Sequence, residues 1–438
     1  MKQQGFLPSG CRVSGRNWSI ALFLVVIVMI VEATGYAGAA NDGDTLVKQY
    51  RHLGYIVVTP HGPLDGGDFG PFTPGTKTAG IQEAINEARK EHLNLFIAGV
   101  QGDRGGGAHY ITTNTIYIPP MQGFRIDGGE AVITYNGNKT ADTIRIDSCM
   151  DCHYRFGILT NAGNGAVIRL APVNPVPIDG LKVITDSSFS VSSVVGGGFF
   201  SFDTHQISGL KGTGILLDAS LGPILWNRIN ANAVLLCNRG VYLHGSGVQD
   251  NWIRVLHNHQ CRIHLQLGDK DSVPEFNRID MSINSEGVRG SVGADLFGSR
   301  NFLTLDVSQA SKGKGLIFEE SAKDNIVYEL NLAGGTTNRA KIPTNEVITA
   351  SPVGFQVETP AVPKSDQVVT NRNPYMIEIL ILDPGKVSSW ILTDVSGDSQ
   401  KIRSGLFPGQ TVLLGRGESI RLSYTVAPKW RWRAFSGR

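Results

Sequence analysis

The chain has almost no net charge, few cysteines and no long apolar run. Its 438 residues carry 40 Lys plus Arg against 38 Asp plus Glu, a formal charge of +2. So even a balance offers no electrostatic footing for nucleic acid. The longest unbroken apolar stretch, Ile20 to Val31, has 12 residues, short of the roughly 20 needed to cross a bilayer as a helix. Five cysteines in so long a chain exclude a scaffold held mainly by disulfides, so a packed core must carry stability. No tight Asp/Glu cluster marks a Ca²⁺ loop, and Asp65-Gly-Gly-Asp68 is too short to form one.

What is present begins with an export signal. Lys2, Arg12 and Arg16 precede the short apolar run, and Ala37-Gly38-Ala39 offers a cleavage site, the layout of a secretory signal peptide over residues 1–39. Its removal takes away three basic residues and one acid (Glu32), leaving 37 Lys plus Arg against 37 Asp plus Glu and a formal charge of zero. Four cysteines remain, an even number that suits an oxidising compartment. The expected location is extracellular or periplasmic, with no membrane association after cleavage.

Five asparagines then recur on a steady beat: Asn227, Asn251, Asn277, Asn301 and Asn325, at intervals of 24, 26, 24 and 24 residues. Each is followed two places on by an apolar residue, and apolar and polar residues alternate from there. A fixed period in the twenties marks a solenoid whose units bury their apolar faces only against neighbours. The alternation marks each unit as strand. The economical reading is an all-β fold, a parallel β-helix with one Asn per coil stacked at the same bend, each amide donating to one coil and accepting from another. Cys237 and Cys261 each lie ten residues after such an Asn. They should stack about 4.8 Å apart, either as a disulfide or as two thiols inside the cylinder.

Upstream, Tyr55–Val58 reads as a strand within a mixed stretch, and the Gly/Pro/Asp-rich 62–75 as a loop. "GIQEAINEA" at 80–88 reads as a helix with Ile81, Ala84, Ile85 and Ala88 on one face and Thr78 near its N-cap. Short strands follow over 93–98, 111–118, 123–126 and 131–135. Residues 172–213, with three prolines and Gly196-Gly-Gly198, read as one irregular loop. "GIQEAINEA", then "IYIPP", "FRIDGG" and "VITY", resembles the start of right-handed parallel β-helix proteins of the pectate-lyase-like superfamily. That resemblance implies a helix capping the open end of the cylinder. The motifs cover about residues 55–137, and the beat extends the likeness to about 332. The chain departs from the common pattern before the helix, where Lys77-Thr-Ala-Gly80 replaces an Asp-Asp-Thr run.

The expected organisation is a β-helix with its N-terminal cap over 41–345, a Pro-rich linker over 346–364, and a small β-sandwich over 365–438. "LFPGQTVLLGRGESIRLSYTVAPKWRW" at 406–432 resembles the β-modules appended to phage-tail and bacterial surface β-helix proteins, a likeness that would imply a homotrimer. Trp390, Trp430 and Trp432 are expected either to stack on sugars or to pack against the β-helix.

Chemistry is expected on the outer face of the Asn-led strands. Positions two and four after each Asn are apolar and should point inward, so positions one, three and five face out. Outward go Arg228, Trp252 and Arg278 in one column, Arg254 and Asp280 in a second, and Asp306 in a third. Arginines fork onto carboxylates and Trp packs on sugar rings, so this face suits an acidic, pectin-like polysaccharide. Arg228, Trp252 and Arg278 are the candidate substrate-binding residues. Asp280 and Asp306, with Arg254, are the candidate catalytic set. Their offset of one coil and two residues gives roughly 8 Å, inside the ~6.5–9.5 Å spacing of inverting glycosidases. A surface Arg254–Asp280 pair with no catalytic role is the plain alternative. A lyase would instead pair an arginine base with Ca²⁺; a hydrolase needs no cofactor. Of the polygalacturonase motifs only His244-Gly245 is present. Cys149-Met-Asp-Cys152-His153 fits a haem attachment pattern but stands between strands, and His257, His259 and His264 lie near one bend. The contrasting reading is a non-catalytic glycan-binding or structural stalk.

Overall fold

The computed structural model describes residues 42–99, 109–177, 180–201, 204, 206–309, 313–349, 357–373 and 375–435. The expected signal peptide lies outside them. Over the rest, the fold is a parallel β-helix followed by a small antiparallel β-sandwich. The coils build three parallel sheets, the third of which continues past Val248–Gln249 only as isolated bridges. One coil runs through Ile224–Leu225 in a short third sheet, Arg228–Leu235 in the first sheet and Cys237–His244 in the second. The first sheet joins twelve strands, the second nine and the third five.

The register follows from the alternation of the sequence. Ile229, Ile253, Ile279, Leu303, Val327 and Val347 stand opposite one another through successive coils. All six are buried, and each such aliphatic contributes roughly 1.5–3 kcal/mol on leaving water. The turns into the five first-sheet strands that follow the beat asparagines are each made by one residue in the left-handed region, Trp226, Asp250, Phe276, Arg300 and Asp324, with φ between 55° and 58°. Each immediately precedes a beat asparagine. Such a conformation costs an L-residue roughly 1–2 kcal/mol, and the asparagine that follows offsets it with hydrogen bonds.

Those asparagines form one buried column. The backbone N–H and the side-chain amide of Asn227 both donate to Oδ1 of Asn251, at 3.1 and 3.0 Å. The same pair of bonds links Asn251 to Asn277, Asn277 to Asn301 and Asn301 to Asn325. The column continues to Asn345, only 20 residues further on. In the other direction Ser187 N–H donates to Asn227 Oδ1, and Cys152 N–H to Ser187 Oγ. The strand Glu346–Thr349, within the stretch read as linker, still pairs with Ile326–Leu332.

Residues 172–213 are not one loop. Ser188–Val195 is a first-sheet strand paired to His153–Asn161 on one side and Arg228–Leu235 on the other. The hairpin Phe199–Ser201 with Gln206–Ser208 leaves the stack. The beat was hidden because this bend carries Ser187 in place of Asn and its coil is 40 residues long. At the N-terminal end the helix Ile81–Glu91 buries Ile81, Ala84, Ile85 and Ala88 on the first coils, and Thr78 Oγ1 accepts from Gln82 N–H although Gly80 is the cap residue. A second helix, Asp42–His52, lies where the sequence looked mixed. It buries Val47 and stacks Tyr50 on Phe96 at 3.8 Å.

The C-terminal unit packs a four-stranded sheet on a three-stranded one. Trp390, Trp430 and Trp432 are buried among Ile377, Ile379 and Leu422 in its own core. They therefore form neither a sugar platform nor a contact with the cylinder's flank, because the sandwich needs large side chains to fill so small an interior.

Candidate functional site

On the first sheet the expected columns are in register. Arg228, Trp252, Arg278 and Phe302 stand opposite one another, as do Arg254 and Asp280, then Thr304. Asp306 stands opposite Ser282, one coil and two residues from Asp280. Both guanidinium groups bracket the indole of Trp252, Arg228 at 5.8 Å and Arg278 at 5.1 Å, and Arg278 also covers Phe302 at 5.9 Å. The indole N–H donates to Asp280 Oδ2 at 2.9 Å, and Arg278 Nε lies 3.7 Å from the same oxygen. These residues therefore satisfy one another as a cation–π ladder. Both faces of Trp252 are taken by arginines, which leaves the outer edge of the ladder as its contact surface. Arg254 stands beside Asp280 in register, but the ion pairs of Asp280 run to Arg278 instead.

The outer face of the second sheet is richer in titratable groups. One outward column reads Tyr117, Arg145, Arg169, Leu216, Tyr242, Gln266, Asp295, Ile317 and Thr337. Arg169 ion-pairs with Asp218 and lies 3.7 Å from Asp142. Asp218 is opposite His244. Asp269 accepts from Tyr242 OH at 2.6 Å and lies 2.8 Å from His244 Nδ1. Burial alone would raise the Asp269 pKa, but bonds from Tyr242, Asp271 N–H, Ser272 and His244 win and hold it at about 2. One coil on, Asp295 is pushed the other way, to about 6, first by burial and then by the negative charge of Glu319, against Arg339 and Arg239. Its Oδ1 is buried with no hydrogen-bond partner among the described residues. Glu319 is itself held by Arg339 at 2.6 Å, and Gln266, opposite Asp295, accepts from Arg239 Nε at 2.5 Å. Asp295 lies within the strand Val292–Leu296, whereas Asp269 lies on the preceding coil two residues past the end of the strand Ile263–Leu267, beyond Gly268 at φ 83° and in the turn closed by its bridge to Ser272. The only sequence signal for this face was His244-Gly245.

The remaining motifs are absorbed by the cylinder. Cys149, Cys152, Cys237 and Cys261 are free, buried thiols. Leu236 and Gln260, both with positive φ, turn the chain immediately before Cys237 and Cys261, so the two thiols stack inside the bend rather than as a disulfide. Cys149 and Cys152 also face the interior, with Cys152 heading the amide column, while His153 is outside and bonds Ser188 Oγ at 2.7 Å. A haem has no face to attach to. His264 is fully buried with both ring nitrogens engaged, by Asn258 Oδ1 and Ser285 Oγ at 2.9 Å each, and burial holds it at about 3. Burial also lowers neighbouring His259 to about 4. Among the described residues no group of three or more His, Cys, Asp or Glu gathers as a metal site.

No protein-family model and no curated protein matches the chain. Among solved structures it is similar to the enzymatically active domain of tailspike protein 2 of bacteriophage CBA120, at 9% identity and a TM-score of 0.26, over 86% of this chain and 79% of that one.

Proposed function

We propose that this is an exported protein that binds an acidic polysaccharide along its outer faces and hydrolyses it on the second sheet. One observation carries the reading: two carboxyl groups on adjacent coils at the second sheet, Asp295 and Asp269, have surroundings that shift them to opposite sides of the ordinary carboxyl value, up to about 6 and down to about 2. Such a split assigns roles in acid–base catalysis. Asp295 holds its proton to about pH 6 and gives it to the leaving glycosidic oxygen as the C–O bond breaks. Asp269 stays ionised and takes a proton from the water that adds to the anomeric carbon. Tyr242 and His244 hold Asp269 in place. On the first sheet, Arg228, Trp252 and Arg278 supply cations and aromatic edges for the polymer's carboxylates and rings. Asp280 and Asp306, with Arg254, are the competing catalytic assignment. The engagement of Asp280 by Trp252 and Arg278 favours a binding role for that face, and it also supports the second reading, a glycan-binding protein without turnover. The exposed Ile326, Tyr328, Leu330 and Ile348 on neighbouring first-sheet strands are where further copies would pack in a homotrimer.

The test is product chemistry on polygalacturonate and other acidic glycans. New reducing ends without ultraviolet-absorbing unsaturated uronate are expected. Asp295→Asn and Asp269→Asn should each lower the rate by about 10²–10⁴-fold, while Asp280→Asn and Asp306→Asn should weaken binding with little change in kcat. Unsaturated products would overturn hydrolysis. Loss of turnover in the Asp280 and Asp306 variants alone would move the site to the first sheet. Binding with no turnover on any glycan would favour the stalk.

A further inference from the structure

A cleft of about 660 Å³ lies between the last coils and the C-terminal sandwich. One wall is the final second-sheet strand, Thr336–Asn338, and the other is formed by Val368, Val369, Thr370, Arg372, Asn373 and Tyr375. Pockets of this size favour such junctions. This one is shaped by a buried amide. Asn371, fully buried, donates to the carbonyls of Tyr375, Leu414 and Gly415 at 2.9–3.0 Å and accepts from both the N–H and the side chain of Asn373 at 3.0 Å. That network fixes the loop bearing Arg372 and Asn373. Asn338 ties the walls together by donating to the Arg372 carbonyl, and Tyr375 packs against the cores of both units.

The lining has a chemical bias. Lys314 and Arg372 both line the cleft, and neither forms an ion pair with a described residue. Glu358 is the acid on the same lining, leaving the cations in excess. Threonines and asparagines supply neutral donors and acceptors, and Tyr375 supplies apolar ring surface. Trp432 is 3% exposed, and its indole N–H is buried without a partner among the described residues.

We infer that this cleft is a second saccharide site, which takes a short carboxylate-bearing oligosaccharide with its carboxylate on Arg372 and Lys314. Thr336, Thr337 and Asn373 meet its hydroxyl groups, and its C–H face lies on Tyr375. The cleft is two coils from Asp295 along the column Asp295, Ile317, Thr337, about 10 Å, so a chain held there can also reach the proposed cleavage site. The inference rests on the proposed function only for the class of ligand.

The experiment titrates trigalacturonate, with maltotriose as the neutral control, into the full chain carrying Asp295→Asn, so that turnover does not confuse binding. Calorimetry gives the affinity, and thermal melting checks the fold. Arg372→Ala and Lys314→Ala, added singly, should each weaken trigalacturonate binding at least tenfold with an unchanged melting temperature. Arg89→Ala, on the N-terminal helix and outside both proposed binding faces, should leave it unchanged, and maltotriose should not bind. If Arg372→Ala fails to fold, Lys314→Ala decides. Binding unaltered in the folded cleft variants, or no binding of trigalacturonate at all, overturns the inference. Binding that depends on Arg372 in a protein that cleaves no glycan keeps this site and discards the hydrolytic reading.

Discussion

At the scale of the residue, the amide column does the most structural work. Asn277 is buried and satisfies five partners: its amide donates to Val248 O, Glu275 O and Asn301 Oδ1, and its Oδ1 accepts two bonds from Asn251. Asn277→Ala should destabilise the protein by roughly 3 kcal/mol, since it strands several buried polar groups at once. Chemical denaturation checks this, and a loss within error would mean that water replaces the amide cheaply. The five central asparagines were legible because they keep both residue type and interval. Ser187, Cys152 and Asn345 occupy the same column and escaped notice, since a hydroxyl, a backbone N–H or a shortened coil serves the same bend without preserving the letter or the spacing. The acids of the second sheet were harder still. Tyr242 and Gln266 each lie 15 residues after their coil's asparagine, whereas Asp295 lies 18 after Asn277. The bend between first and second sheets varies in length, so alternation counted from the asparagine loses phase before it reaches them.

At the scale of the element, the coil is the unit of the fold. Its core column is continuous, and each first-sheet strand bonds only to the coils above and below. Removing residues 251–276 deletes one whole coil and sets Arg278 opposite Arg228, with Asn277 following Asp250 in sequence. Such a variant should still fold, with a cooperative melt at lower temperature, because stability in a solenoid is close to a sum over neighbours. Removing only 251–262 breaks the phase of every coil below and should leave an aggregated or unfolded chain. Circular dichroism and size-exclusion chromatography distinguish the two, and equal damage from both would contradict the coil as the unit. The inward and outward sides of the first sheet were readable in advance because period-two alternation forces them. The helix Asp42–His52 was not. Its apolar residues are few, and it is held by one stacked ring, Tyr50 on Phe96, and by Tyr50 OH donating to Asp127 at 2.5 Å, contacts that join residues far apart in sequence.

At the scale of the whole molecule, the cylinder brings two chemically different faces side by side. The first sheet presents arginines locked on aromatic rings, a rigid surface suited to holding a polymer. The second presents one carboxyl group raised to about 6 and, on the preceding coil, one held at about 2, the pair proposed above for cleavage. The sandwich closes the C-terminal end, docked through Tyr375 and through Arg416, 3.6 Å from Glu346. The architecture could be read from the sequence, because repetition writes the fold many times over. The proposed catalytic face could not, because it is written once. The pH dependence of kcat/KM for hydrolysis of an acidic glycan tests the account most directly. Asp295 must donate a proton that it loses near pH 6, so the rate should fall as pH rises through about 6, and Asp295→Asn should abolish both the rate and that descending limb. A rate that holds or climbs between pH 5 and 7, or an Asp295→Asn protein as active as the parent, would contradict it.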